Sequence, residues 1–132
     1  MKFNYKCPGC DAQLRMGEHV LLTARNISGK GSIVMLHAEL GNYSVEFNPD
    51  IKFEKGEMVT FLCPVCHLDL SSDKHKNLAK VIMVDDTGKA YDVYFSKITG
   101  EHSTIKMAGE HIELFGPQSD QYMDFFAMSQ LY

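Results

Sequence analysis

Three things are scarce in this 132-residue chain, and each scarcity removes a class of explanation. No apolar run approaches the ~18 residues that a membrane span needs. The first six residues, Met1 to Lys6, likewise hold no apolar run of signal-peptide length. The expectation is therefore a soluble, cytoplasmic protein. Cysteine is limited to four residues, and a reducing compartment disfavours joining them as disulfides. Cations are scarce in the second half: residues 81–132 carry three Lys/Arg against eight Asp/Glu, whereas residues 1–80 carry ten against nine. Phosphate backbones are bound through clustered Lys and Arg, so this balance argues against broad nucleic-acid affinity.

Catalytic signatures are missing as well. The chain has no G-x-S-x-G, no P-loop and no dinucleotide-binding pattern, and its glycines fall in turns. Neighbouring carboxylates such as Asp85 and Asp86 are expected by chance in an acidic segment. A non-enzymatic protein is the expectation. The overall composition, 45% hydrophobic over 132 residues, suffices for a real core in one globular domain or two small ones.

What is present is a repeat. CPGC at Cys7 to Cys10 and CPVC at Cys63 to Cys66 use every cysteine, and each has an aromatic (Tyr5, Phe61) two residues before it and a leucine (Leu14, Leu70) four residues after it. In Cys-x-x-Cys the two intervening residues form a turn that aims both sulfurs at one point. Pro8 and Pro64 suit such a turn, where no ladder hydrogen bond is lost. Each pair supplies half of a tetrahedral shell, so Cys7, Cys10, Cys63 and Cys66 are expected to share one Zn2+. The long segment from Asp11 to Leu62 then becomes a loop closed by metal, its closure entropy offset by metal–ligand free energy on the order of 10 kcal/mol. Two other chemistries use similar motifs. CPxC occurs in thiol-redox sites, but those sit in a βαβ setting that is not seen here. Rubredoxin-type iron loops are close in pattern but usually carry glycine after the second cysteine, where this chain has Asp11 and His67. Iron is thus the runner-up metal. His67, next to Cys66, is a conceivable alternative ligand, but four thiolates already fill the shell.

The rest of the chain reads mostly as strands. His19–Ala24 and Ser32–His37 flank the turn-forming Gly29-Lys30-Gly31 and are expected to pair as a hairpin. Tyr43–Phe47 alternates, Asn48-Pro49-Asp50 breaks it, and Met58–Leu62 leads into the second cysteine pair. The insertion between the pairs thus reads as a small antiparallel sheet. Ser71–Asn77, with His75 as a solvated residue, reads as a linker or surface turn. Strands over Lys80–Val84, Ala90–Phe95, Ser103–Met107 and His111–Phe115 follow, with Asp85–Gly88 as a turn, in the manner of a β-meander. Gly-Glu-His recurs at Gly17, Gly100 and Gly109, with Gly56-Glu57-Met58 as a relative. A second metal site there is conceivable, but a turn signature in which glycine supplies an unusual backbone angle is the simpler reading.

A short helix over Gln121 to Leu131, capped by Ser119 or Asp120, ends the chain. Its Tyr122, Phe125, Phe126 and Met128 either pack on the chain's own sheet or dock a partner protein or a second copy. The expected fold is mainly β: residues 1–73 a four-cysteine clip with an inserted sheet, residues 74–132 a β-meander with a C-terminal helix, able to pack as one unit.

The paired CPxC knuckles, with their aromatic and leucine flanks, resemble the zinc-ribbon family over about residues 1–70. The long insertion departs from the usual compact ribbon, and no family resemblance extends to the second half. The resemblance implies tetrahedral zinc on Cys7, Cys10, Cys63 and Cys66 but no particular role, since ribbons serve many functions. Two function classes follow. The first is a zinc-stabilised protein-interaction or regulatory module. The second is a nucleic-acid-associated ribbon using Lys2, Lys6, Arg15, Arg25, Lys74, Lys76 and Lys80. A thiol sensor that releases zinc on oxidation is a weaker third.

Overall fold

The computed structural model describes residues 3–109 and 111–123. Its strands form two antiparallel five-stranded sheets. The first sheet has the order β1 (Asn4–Lys6), β7 (Leu78–Val84), β8 (Ala90–Ser96), β9 (Thr104–Ala108) and β10 (His111–Phe115). The second runs β2 (Arg15–Met16), β3 (His19–Arg25), β4 (Gly31–His37) and β5 (Val45–Phe47), with β6 (Thr60–Leu62) also paired to β3. Because β4 takes one whole edge of β3, β2 and β6 share the other edge, near its opposite ends. The mainly-β architecture, the inserted sheet and the meander from β7 to β10 are all present.

Local sequence explains the hairpins. Asn26 closes the β3–β4 turn by accepting the N–H groups of Ser28 and Lys30 on its Oδ1, both at 3.0 Å. Asp85 does the same between β7 and β8, accepting from the Thr87 and Lys89 N–H groups. Such side-chain acceptors mimic a backbone turn and fix the ladder register on either side. The Gly-Glu repeat is a turn device, as expected: Gly17, Gly56, Gly100 and Gly109 all have positive φ, between 58° and 87°.

Strand alternation builds the core. Along β3 the buried positions are Val20, Leu22 and Ala24, every second residue, and they face Val81, Met83 and Val93 of the other sheet in one buried cluster. Tyr5 of β1 joins the same cluster and donates its hydroxyl to the Ala38 carbonyl at 2.6 Å. Strand β1 is the feature that the sequence division into residues 1–73 and 74–132 does not convey. It comes first in the chain yet pairs with β7, Asn4 opposite Val84 and Lys6 opposite Ile82.

A second, smaller cluster covers the outer face of the first sheet: Leu78, Tyr94, Ile105 and Tyr122. Tyr122 ends a 3-10 turn, Ser119–Tyr122. Ser119 does not cap a helix there. It is buried, its hydroxyl accepting the Thr104 N–H at 3.1 Å and donating to the Phe115 carbonyl. The remainder of the expected helix, with Phe125, Phe126 and Met128, lies outside the described residues.

The polar stretch 71–77 is a packed surface turn, and His75 within it is not a solvated residue. Its Nδ1 accepts the Asn77 N–H at 3.0 Å and its ring meets the edge of Tyr122 at 4.9 Å. Ser71 pairs with Ala79, and the Ser72 N–H donates to the Leu78 carbonyl, so the turn feeds directly into β7.

Candidate metal centre

The chain crosses from one sheet to the other at two places framed by its cysteines. Between β1 and β2 it passes through Cys7–Cys10; between β6 and β7 it passes through Cys63–Cys66. The two passages are built alike. Cys7 N–H donates to Ala12 O and Cys63 N–H to Leu68 O, both at 3.0 Å. Asp11 N–H donates to Cys7 O and His67 N–H to Cys63 O, again both at 3.0 Å. Leu14 then returns to Tyr5 O at 2.8 Å and Leu70 to Phe61 O at 2.9 Å. The repeat read from the sequence is a repeat of backbone hydrogen bonding.

Each turn also points N–H groups at sulfur. Cys7 Sγ accepts from Gly9 N at 3.3 Å and Cys10 N at 3.5 Å, and Cys63 Sγ accepts from Val65 N and Cys66 N at the same two distances. N–H donors of this kind stabilise negative charge on a thiolate. To make the turn, Asp11 and His67 take left-handed backbone angles, φ 64° and 65°. That is the conformation glycine normally supplies, and Asp and His are among the residues that tolerate it. The two departures from the iron-type loop are therefore changes of side chain on the same backbone, and they do not distinguish zinc from iron.

The four sulfurs converge, all within 4.8 Å of one another, with Cys7 and Cys63 buried and Cys10 and Cys66 exposed. Across the two knuckles, Cys7 Sγ lies 3.7 Å from Cys66 Sγ and Cys10 Sγ 3.8 Å from Cys63 Sγ. A tetrahedron with metal–sulfur bonds of about 2.3 Å has edges of about 3.8 Å, whereas a disulfide needs about 2.05 Å. The spacing fits a shared cation and not a pair of disulfides. Electrostatics agree. Burial raises the Cys7 thiol; Cys10 is raised to about 12, the Ala12 N–H opposing desolvation and the three neighbouring sulfurs. For Cys63 burial is outweighed by the Cys66 and Val65 N–H groups and the adjacent thiols, and it falls to about 7. Thiols held this close resist losing their protons together, and a cation at the centre would stabilise their thiolate forms.

Among the described residues this is the one group that could hold a metal ion. His67 is exposed and not part of it, and the Gly-Glu-His histidines do not form a second cluster. Several cations proposed for nucleic-acid contact are engaged internally. Lys6 pairs with Asp11 at 2.8 Å, Lys80 lies 3.6 Å from Asp92, and Arg15 donates to the Phe3 and Gly17 carbonyls while stacking over the Phe3 ring. Tyr122, considered for partner docking, is buried against its own sheet, its hydroxyl donating to Glu101 at 2.7 Å.

Two features escape sequence reading. The first is Lys97, buried with its Nζ donating to the Ser71 hydroxyl at 2.6 Å, which in turn donates to Asp69 at 2.7 Å. Burial would raise the Asp69 carboxyl, but the Ser71 donors and the nearby Lys97 and Arg25 charges hold it below its ordinary value. This chain of contacts ties the segment after the second knuckle to the end of β8. No periodic signal marks it, since Ser71 and Lys97 both lie outside strands. The second is the space between the sheets, which depends on how two surfaces meet. Comparison of the chain with protein-family models, with curated proteins and with solved structures found no match to any of them.

Proposed function

We propose that this is a small zinc protein of zinc-ribbon type whose four-cysteine site is structural, holding two sheets together so that the chain serves as a protein-interaction or regulatory module. The observation that carries this reading is the position of the cluster, at both crossings between the sheets. A metal there acts as a clip on the whole fold. A sulfur-only donor set suits zinc, and four thiolates leave no open position for a substrate or an activated water. The interaction part rests on exposed apolar residues beside the clip. Val65, at the tip of the second knuckle, is 63% exposed, and Leu68, leaning over Gly9 of the first, is 41% exposed. Apolar side chains fixed on a rigid turn suit recognition of a protein surface.

Elemental analysis of the native protein tests the metal: one zinc per chain is expected, and iron or no metal overturns the reading. The module is tested by affinity capture with the parent and with Val65→Ser. Loss of a captured protein at unchanged zinc content supports it. Salt-dependent binding to random nucleic acid would replace it with the nucleic-acid reading.

A further inference from the structure

The two sheets do not fill the space between them. A cavity of about 380 Å3 lies there, walled by small and medium apolar side chains from both sheets, among them Leu22, Ala24, Val34, Val81 and Val93. This volume is within the ~300–1,000 Å3 range of small-molecule sites. The cavity is partly open to solvent, so a ligand can enter it from outside, and the five wall residues just named present only hydrocarbon side chains. Among the described residues every buried side-chain nitrogen and oxygen already has a hydrogen-bond partner. The phenol of Tyr5, which also lines the cavity, is held by the Ala38 carbonyl at 2.6 Å.

Polar lining comes almost wholly from two stretches, residues 37–44 and 96–104, which follow β4 and β8. They bring His37, Glu39, Asn42 and His102 to one end of the cavity. One side of that end is rigid: the His102 ring stacks on Tyr43 at 4.3 Å and 2°, and the Tyr43 hydroxyl is fixed by Thr104 Oγ1 at 2.8 Å and the Phe115 carbonyl at 3.1 Å. We propose that the cavity is a binding site for a small hydrophobic molecule with a single polar end, its apolar body between the sheets and its polar end at the His37–His102 mouth. The walls select against polar bodies because they offer no hydrogen bond to replace those lost from water. The lining as a whole holds Lys97 alongside Glu39 and Glu101, so both signs of charge are present and neither is imposed on the ligand. The site is independent of the metal reading, and either can fail without the other.

The test uses the full, metal-loaded chain and the uncharged fluorophore N-phenyl-1-naphthylamine, with decanol as competitor. Saturable binding of one probe per chain, displacement by decanol, and a melting midpoint that rises with decanol are expected. Ala24→Leu and Val34→Phe fill the cavity from two strands of one sheet, and each should weaken probe binding at least tenfold at unchanged metal content. Absence of saturable binding, unchanged affinity in both filled variants, or a stoichiometry of one probe per two chains would overturn the proposal. The last result would mean that a second copy completes the site. Should one filled variant fail to fold, the other and the decanol shift of the parent decide.

Discussion

Asp11 and His67 bear the conformational cost of the knuckles, since a residue with a Cβ at φ near 65° is disfavoured by roughly 1–2 kcal/mol. Asp11 recovers part of it through Lys6 at 2.8 Å. His67 is exposed, so it offers the cleaner experiment. His67→Gly is expected to be neutral or to stabilise the metal-loaded protein by up to ~1 kcal/mol, because the relief of strain is set against greater freedom of the unfolded chain. His67→Val should destabilise by about 1–2 kcal/mol, since β-branched residues fit this region worst. Denaturant midpoints of the two variants check the order; a Val variant as stable as the Gly variant would show that the turn can relax. Gly116 is a harder constraint. It has φ of 89°, and a Cβ there would collide with the His102 carbonyl and the Tyr43 hydroxyl. Gly116→Ala should cost about 3 kcal/mol or more, because the nearer obstacle is backbone and cannot swing away.

At the scale of elements, the 3-10 turn Ser119–Tyr122 acts as a small lid on the first sheet. Its stability is linked to pH through buried phenols. Burial pushes Tyr94 up to about 12, with Asp92 and Asp73 adding to it, and burial together with Glu101 pushes Tyr122 up to about 12. An unfolded tyrosine ionises near ~10. A group whose folded value lies above its unfolded value contributes stability that is complete below the unfolded value. That contribution is lost as pH rises through the folded one. The protein should therefore hold its stability up to about pH 10 and lose it between about 10 and 12, by on the order of 1.4 kcal/mol per pH unit for each such tyrosine. Absorbance titration should show these phenols ionising late and together with unfolding, and Tyr122→Phe should shift the transition upward. Ionisation of every tyrosine near 10 without unfolding would contradict the packing of the lid.

For the whole molecule the decisive fact is that one buried cluster draws on both sheets and that the cysteines frame both crossings between them. Removal of the metal should therefore loosen the entire fold. We expect one cooperative unfolding transition in the loaded protein, and after treatment with a strong chelator a loss of stability on the order of 10 kcal/mol, enough to unfold a domain of this size. Far-ultraviolet circular dichroism and tyrosine fluorescence, followed through the same titration, check this. Two separate transitions, with residues 74–132 surviving chelation, would show that the sheets fold independently.

How much of this was readable in the chain follows from the range of each interaction. The knuckles were legible because their chemistry is local: two cysteines, a proline and an aromatic within a few residues fix a turn and its hydrogen bonds. The hairpins were legible for the same reason, with Asn26 and Asp85 closing turns between alternating strands. The Gly-Glu turns announced themselves through glycine's backbone freedom. What the sequence determined alone was therefore the four cysteines that come together, most of the strands and the turns. Tertiary structure decided the rest: that β1 leaves its neighbours in sequence to pair with β7, that the cysteines frame the two crossings, that Lys97 reaches Ser71, and that a cavity opens between the sheets. These depend on contacts between residues tens of positions apart, whose free energy appears only when the two sheets meet, and no local pattern encodes it.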